Sequence, residues 1–167
     1  MNKIRVRGKG ASAIKASARG PAVHLPPRSS LGYLVRETYR AFQRELQPHI
    51  GRFGITSGMW WFLRALWEKD GISQTELSQN VKVMGPTTVR AVEQMENRGL
   101  IERRREGSDS RKVFIYLTEE GRALRDVLIP AAVAVLEKAT RRLSAKEADT
   151  LRQLLSRILE TLDEGDH

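Results

Sequence analysis

Positions 31, 34, 35, 38, 42 and 46 carry Leu, Leu, Val, Thr, Phe and Leu, a spacing that predicts a first helix, and Pro48 is expected to end it. A second helix is predicted over Ser57–Lys69, with Thr56 as N-cap and Gly71 as the stop. Its apolar load is dense: Met59, Trp60, Trp61, Phe62, Leu63, Leu66 and Trp67. In SQTELSQNV, Ser73 and Glu76 have the spacing of a capping box, and Leu77 and Val81 supply a buried face. After VMGP, a fourth helix runs from Pro86 to Arg98. It turns Val92 and Met95 inward, with either Thr88 or Val89 one turn earlier. Proline is tolerated in a first turn because its missing N–H had no helical partner. Gly99 followed by Leu100 reads as a C-terminal cap with its hydrophobic contact.

The period then changes. LIERRR and KVFIYL read as two strands, with Val113, Ile115 and Leu117 alternating against Lys112, Phe114 and Tyr116, and EGSDSR as a polar tip. Two short helices joined by a tight turn and followed by such a hairpin make a winged helix-turn-helix. From Thr118 the pattern is helical to about Arg142, with Pro130 predicting a kink or break. Ser144 and Glu147 form a second capping box, opening a last helix with Leu151, Leu154, Leu155, Ile158, Leu159 and Leu162 on one side. That stripe is too wide for a lone surface helix and calls for a partner, either the first helix of its own chain or a second subunit. The fold class expected is mainly α with a small β-hairpin wing.

Composition narrows the function. The chain has 167 residues, 40% hydrophobic and 29% charged, which suits one compact domain. No apolar run approaches the roughly 18–20 residues of a membrane span, so no membrane role is expected. Cysteine is absent, which excludes disulfides, thiolate metal sites and a thiol-based peroxide sensor, and the three histidines (24, 49 and 167) are dispersed. Neither a metal ligand spacing nor a phosphate-cradling glycine loop occurs, so the sequence points away from an enzyme and calls for no cofactor. The net charge of +9 favours an acidic partner such as nucleic acid. Residues 1–30 supply most of it: Lys3, Arg5, Arg7, Lys9, Lys15, Arg19 and Arg28, with no Asp or Glu. With six Gly or Pro residues among thirty, this tail reads as a flexible segment outside the core. An arm that touches DNA, an arm of no fixed role, a transit peptide and an over-extended start all fit its composition; a secretory signal does not.

In order, FGITSGMWWFLRAL, DGISQTELSQNV, GPTTVRAVEQMENRGLIERRR and SDSRKVFIYLTEEGR resemble the MarR family of bacterial and archaeal transcription regulators. The resemblance covers roughly residues 31–163. It implies a MarR-like domain over 30–163, preceded by the basic tail over 1–29 that the composition marks out. Within that domain the winged helix-turn-helix occupies about 55–118 and the dimerisation helices about 30–48 and 119–163. It further implies a cytoplasmic, nucleoid-associated homodimer on a pseudo-palindromic duplex operator, acting as a repressor that a small aromatic or acyl effector releases. The competing reading is a winged-helix DNA-binding protein with no effector response. Two positions depart from the family's habit: Met59 stands where Gln is frequent, and Ser110 stands where the wing often has Arg.

Within that frame the helix Pro86–Arg98 is the recognition helix. Thr87, Thr88, Arg90 and Gln94 are its candidate DNA-binding residues, with Val89 a further outward position. Arg90 suits a bidentate guanine contact, Gln94 an adenine or a phosphate, and Thr87 a phosphate or thymine methyl. Ser73 and Gln74 sit where a helix start donates to phosphate. Arg111 in the wing is expected in or along the minor groove, with Asp109 orienting it rather than touching DNA, because phosphate repels a free carboxylate. Lys112 is a phosphate candidate, while only some of Arg103, Arg104 and Arg105 can face DNA. For an effector, Trp60 and Trp61 are expected to sandwich an aromatic ring, alongside Tyr39. Arg36, Arg40 or His49 would receive the carboxylate of an aromatic acid or its thioester conjugate. The alternative is that these aromatics are only the seam between two lobes.

Overall fold

The computed structural model describes residue 28, residues 30–105 and residues 112–164. The basic tail through residue 27 and the wing residues Asp109 and Arg111 lie outside the described residues. The elements in order are α1 (Leu31–Gly51), α2 (Ser57–Glu68), β1 (Ile72–Ser73), α3 (Gln74–Val81) and α4 (Gly85–Asn97). They are followed by β2 (Ile101–Arg105), β3 (Val113–Leu117), α5 (Glu119–Thr140) and α6 (Ala145–Asp163). Among the described residues, no helix is long and apolar enough to cross a membrane.

Local chemistry sets most helix ends. The Thr56 hydroxyl accepts the Met59 N–H at 3.2 Å and the Ser73 hydroxyl accepts the Glu76 N–H at 3.1 Å, each satisfying a free first-turn donor. The reciprocal half of the Ser73 box does not form, because the Glu76 carboxylate turns to the Lys69 ammonium at 2.7 Å. At Ser144 the box is complete: Glu147 accepts the Ser144 N–H at 2.8 Å and the Ser144 hydroxyl accepts the Glu147 N–H at 3.3 Å. Helix α4 closes through Gly99, whose φ of 68° lets the Leu100 N–H reach the Met95 carbonyl at 3.0 Å.

Pro48 does not act as expected, and Pro130 causes no break. Pro48 lies inside α1, which continues to Gly51. The next turn places Ile50 at 0% exposure. Full burial of such a side chain is worth about 1.5–3 kcal/mol, comparable to the roughly 3 kcal/mol cost of an interior proline. Pro130 likewise lies inside an α5 that runs unbroken from Glu119 to Thr140.

The sheet is antiparallel, in the order β1-β3-β2. β2 and β3 form the expected hairpin, with Ile101 opposite Leu117 and Arg103 opposite Ile115. The two-residue β1, which the periodicity did not reveal, adds Ile72 opposite Ile115 on the far edge. Asp70 locks that corner: its carboxylate accepts the Leu117 N–H at 2.8 Å, the Gly71 N–H at 2.9 Å and Arg122 at 2.9 Å.

The core gathers Leu46 and Ile50 of α1, Met59, Trp60, Phe62, Leu63 and Leu66 of α2, Leu77 of α3, and Val92 and Met95 of α4. The sheet residues Ile72, Ile101, Ile115 and Leu117, the α5 residues Leu124 and Leu128, and Ile55, Ala91 and Leu100 complete it. Gly121 shows how closely α5 docks on the corner between α4 and β2. A Cβ there would stand 2.0 Å from the Leu100 carbonyl oxygen, and the Trp67 indole N–H donates to the Gly121 carbonyl at 2.9 Å. Helix α6 differs from the rest: none of its residues is buried.

Candidate nucleic-acid interface and adjoining cavity

Helix α4 is held from behind by Ala91, Val92 and Met95, and its opposite side is open. Thr87, Arg90 and Gln94 lie on that open side, spaced by three and four residues, and all are exposed. Val89 is 38% exposed beside them. Among the described residues Arg90 has no ion-pair partner. Thr88 departs from the expectation. It is 0% exposed and belongs to the inward face, so the turn before Val92 is anchored by Thr88 and not by Val89. Its hydroxyl oxygen is buried and has no hydrogen-bond partner among the described residues.

Ser73, Gln74 and Lys112 come together across 39 residues of sequence. They line a recess of about 540 Å³ between the start of α3 and strand β3, with Thr75, Glu76, Val113 and Phe114. The antiparallel pairing of Ser73 with Phe114 brings Lys112 to this recess. The first-turn N–H groups of α3 and the exposed Lys112 give the recess a donor-rich rim.

The basic residues of the hairpin separate by partner. Arg103 is bound to Glu96 of α4, whose carboxyl it holds below the ordinary range through a charged hydrogen bond. Arg104 lies over the Tyr116 ring at 4.6 Å and pairs with Glu102. Arg105 and Lys112 are exposed, and among the described residues neither has an ion-pair partner. Two of the three consecutive arginines are thus engaged in holding the hairpin to itself and to α4.

A second site lies behind α2. Trp60 is 3% exposed and packs edge-on against Trp67 at 5.8 Å, whereas Trp61 is 47% exposed. Consecutive helical residues point about 100° apart, so the two indoles do not form parallel jaws around a ring. They do meet Tyr39 at one cavity of about 300 Å³, walled by Phe42, Gln43 and Leu46 of α1 and by Ala132, Val135 and Leu136 of α5. Arg36, Arg40 and His49 do not line it. Arg36 and Arg40 both reach Glu37, at 3.0 and 3.6 Å, and His49 sits in the last turn of α1. The cavity's cation is Arg64, its guanidinium 5.8 Å from the Trp60 ring centre. Arg64 is not among the residues expected from the sequence, although its spacing of four from Trp60 and three from Trp61 could have placed it beside them. Gln43 donates to the Tyr39 hydroxyl at 2.8 Å, and its buried amide oxygen has no partner among the described residues.

Comparison with known proteins gives the family. Residues 48–128 match the family described as transcriptional regulator SarA/Rot. The chain is 29% identical over 133 residues to the transcriptional regulator HosA of Escherichia coli O127:H6, covering 77% of this chain and 98% of HosA. It is 30% identical over 131 residues to the HTH-type transcriptional repressor NicR of Pseudomonas putida, covering 78% of this chain and 83% of NicR. A solved MarR transcriptional regulator from Methanosarcina mazei Go1 aligns with a TM-score of 0.73 at 28% identity, covering 80% of this chain and 96% of that one. With the helix-turn-helix, the three-stranded wing sheet and these relatives all in agreement, the chain belongs to the MarR family of winged helix-turn-helix, DNA-binding transcription regulators.

Proposed function

We propose that the chain represses transcription in the cytoplasm as a homodimer on a pseudo-palindromic operator, with α4 in the major groove. The carrying observation is the open side of α4, where Thr87, Arg90 and Gln94 stand exposed and Arg90 is unpaired among the described residues. Arg90 reads a guanine by its two parallel donors, Gln94 an adenine or a phosphate, and Thr87 a phosphate or thymine methyl. Ser73, Gln74 and Lys112, gathered at one recess, hold the backbone and so set register rather than sequence. Arg111, oriented by Asp109, completes the contact from the wing. The winged helix-turn-helix spans about 55–118. The helices over about 30–48 and 119–163 supply the dimer, drawing on the apolar stripe that α6 leaves uncovered.

Release follows when a small aromatic carboxylate, free or as its thioester conjugate, enters the cavity between α1, α2 and α5. Its volume of about 300 Å³ is at the lower bound of small-molecule sites, and its walls are aromatic and aliphatic with one cation. The relatives are transcription regulators, and repression and release of this kind involve no catalytic step.

Selection of bound fragments from the source genome yields the operator, and variants are then titrated against it. Arg90→Ala is expected to cost about 1–3 kcal/mol and to relax the preference at one base pair of each half-site. Lys112→Ala is expected to weaken all sequences alike and to lower the salt slope by about one. Unchanged operator affinity in Arg90→Ala would remove Arg90 from the reading face.

A further inference from the structure

Five of the six helices begin on a hydroxyl. Ser30, Thr56, Ser73, Thr118 and Ser144 each accept the N–H three residues on, at the starts of α1, α2, α3, α5 and α6. Helix α4 breaks the pattern. Its N-cap is Met84, which takes the same extended backbone (φ −69°, ψ 148°) but makes no side-chain capping bond. An apolar residue at this position forgoes a stabilising hydrogen bond.

At 79% exposure, Met84 is also the most exposed large apolar side chain among the described residues. The others lie mainly on α1, α5 and α6, the helices assigned to the dimer. Away from those helices, Phe53 has the Arg52 guanidinium over its ring at 5.1 Å, and Trp61 lines the cavity. A lone exposed methionine needs no explanation. One that displaces the N-cap of the recognition helix does. Gly85 beside it leaves open space, since a Cβ there would meet no other part of the chain within 4 Å. Pro86 and Val89 follow, both exposed and one turn apart, directly ahead of Arg90.

In the major groove the apolar feature of a base pair is the thymine C5-methyl group. A methionine side chain, unbranched and polarisable, adapts to such a surface. We propose that Met84 sets part of the operator preference by packing its thioether on a thymine methyl, with Pro86 and Val89 extending the apolar edge. This rests on the reading of α4 in the major groove given above. Met84 and Arg90 are six residues apart, about 9 Å along a helix axis, and successive bases are spaced by about 3.4 Å. The methyl therefore lies within about three base pairs of the guanine that Arg90 reads. Each half-site is then recognised through two unlike features, a guanine edge by charge and a methyl by apolar contact.

The test replaces thymidine by deoxyuridine one position at a time in the selected operator, which removes the methyl and keeps the pairing edge. Full-length parent, Met84→Leu, Met84→Gln and Met84→Ser chains are titrated against each duplex. Arg90→Ala locates the guanine. Within three base pairs of it, loss of one methyl is expected to weaken the parent about fourfold, the worth of one buried group of that size. The factor should be the same at low and high salt, because the contact displaces no counterion. Met84→Leu should keep most of this discrimination, and Met84→Gln should bind both duplexes alike. Met84→Ser, which restores a cap, is expected to melt at or above the parent's temperature and still to lose the discrimination, a combination that a structural role would not produce. A methyl effect undiminished in Met84→Gln overturns the assignment of Met84. Deoxyuridine without effect on the parent at every position overturns methyl reading, with α4 left in the groove. A parent chain that selects no specific duplex would instead sink the reading of α4 itself, and this proposal with it.

Discussion

Thr88 carries a hydroxyl into the interior of the DNA-binding lobe and finds no partner for it among the described residues. A buried unsatisfied hydroxyl costs about 1–3 kcal/mol of desolvation, whereas an apolar replacement of the same shape removes that cost. Thr88→Val is therefore expected to raise unfolding stability by about 1 kcal/mol in denaturant titration, with operator affinity unchanged; weaker operator binding would return the residue to the DNA face. The same scale explains why the site was only partly readable in sequence. Thr87, Arg90 and Gln94 follow from the inward spacing of Val92 and Met95, because one helical face determines the other. Thr88 and Val89 were ambiguous, being adjacent and alike in size, and only the packed neighbours decide between them. Arg103, Arg104 and Arg105 read as one basic run, but Glu96 and Tyr116 divide them. Both partners lie in other elements, and spacing along a single strand does not reveal them.

At the scale of elements, what local chemistry dictates was visible and what distant pairing dictates was not. Thr56, Ser73, Gly99 and Ser144 act within four residues of themselves and each caps its helix, although the reciprocal half of the box expected at Ser73 is lost to Lys69. Strand β1 has two residues and no period; it exists because β3, over forty residues later, offers Ile115 and Phe114. Pro48 misleads for a related reason, since burial of Ile50 by other elements offsets much of a locally acting cost. The complete Ser144–Glu147 box gives α6 an acid-sensitive end. Hydrogen bonds from the Ser144 backbone and side chain hold the Glu147 carboxyl below its ordinary value. A carboxyl lowered in the folded state contributes stability above its unfolded pKa and loses it as the pH falls through the folded value. The contribution of Glu147 is thus present at neutral pH and fades below about pH 4. Ser144→Ala and Glu147→Gln are each expected to lower the melting temperature by a few degrees at pH 7, with the difference from the parent shrinking below pH 4. A constant difference across that range would show that the carboxylate plays no part.

The whole molecule poses the problem that α6 sets. Nineteen residues run from Ala145 to Asp163 with none buried, and Leu151, Leu154, Leu155, Leu159 and Leu162 are 37–67% exposed. A tether from Lys82 to Asp163 holds the end of the helix to the end of α3, but exposed ion pairs of this kind contribute at most about 1 kcal/mol. Five leucines returned to an apolar environment outweigh that several-fold, because each fully buried one contributes about 1.5–3 kcal/mol. The proposed homodimer supplies that environment and places two copies of α4 on the two halves of an operator. Leu159, 60% exposed, is the sharpest place to test it, since a charge there meets water in a monomer and apolar side chains in a dimer. Leu159→Glu is expected to convert the dimer to a monomer in sedimentation analysis, with the circular dichroism of the folded chain retained. Operator affinity should then fall at least tenfold, because each monomer engages one half-site without the gain from its linked partner. A Leu159→Glu chain that remains dimeric would place the interface elsewhere on the molecule and leave the α6 stripe without a role in assembly.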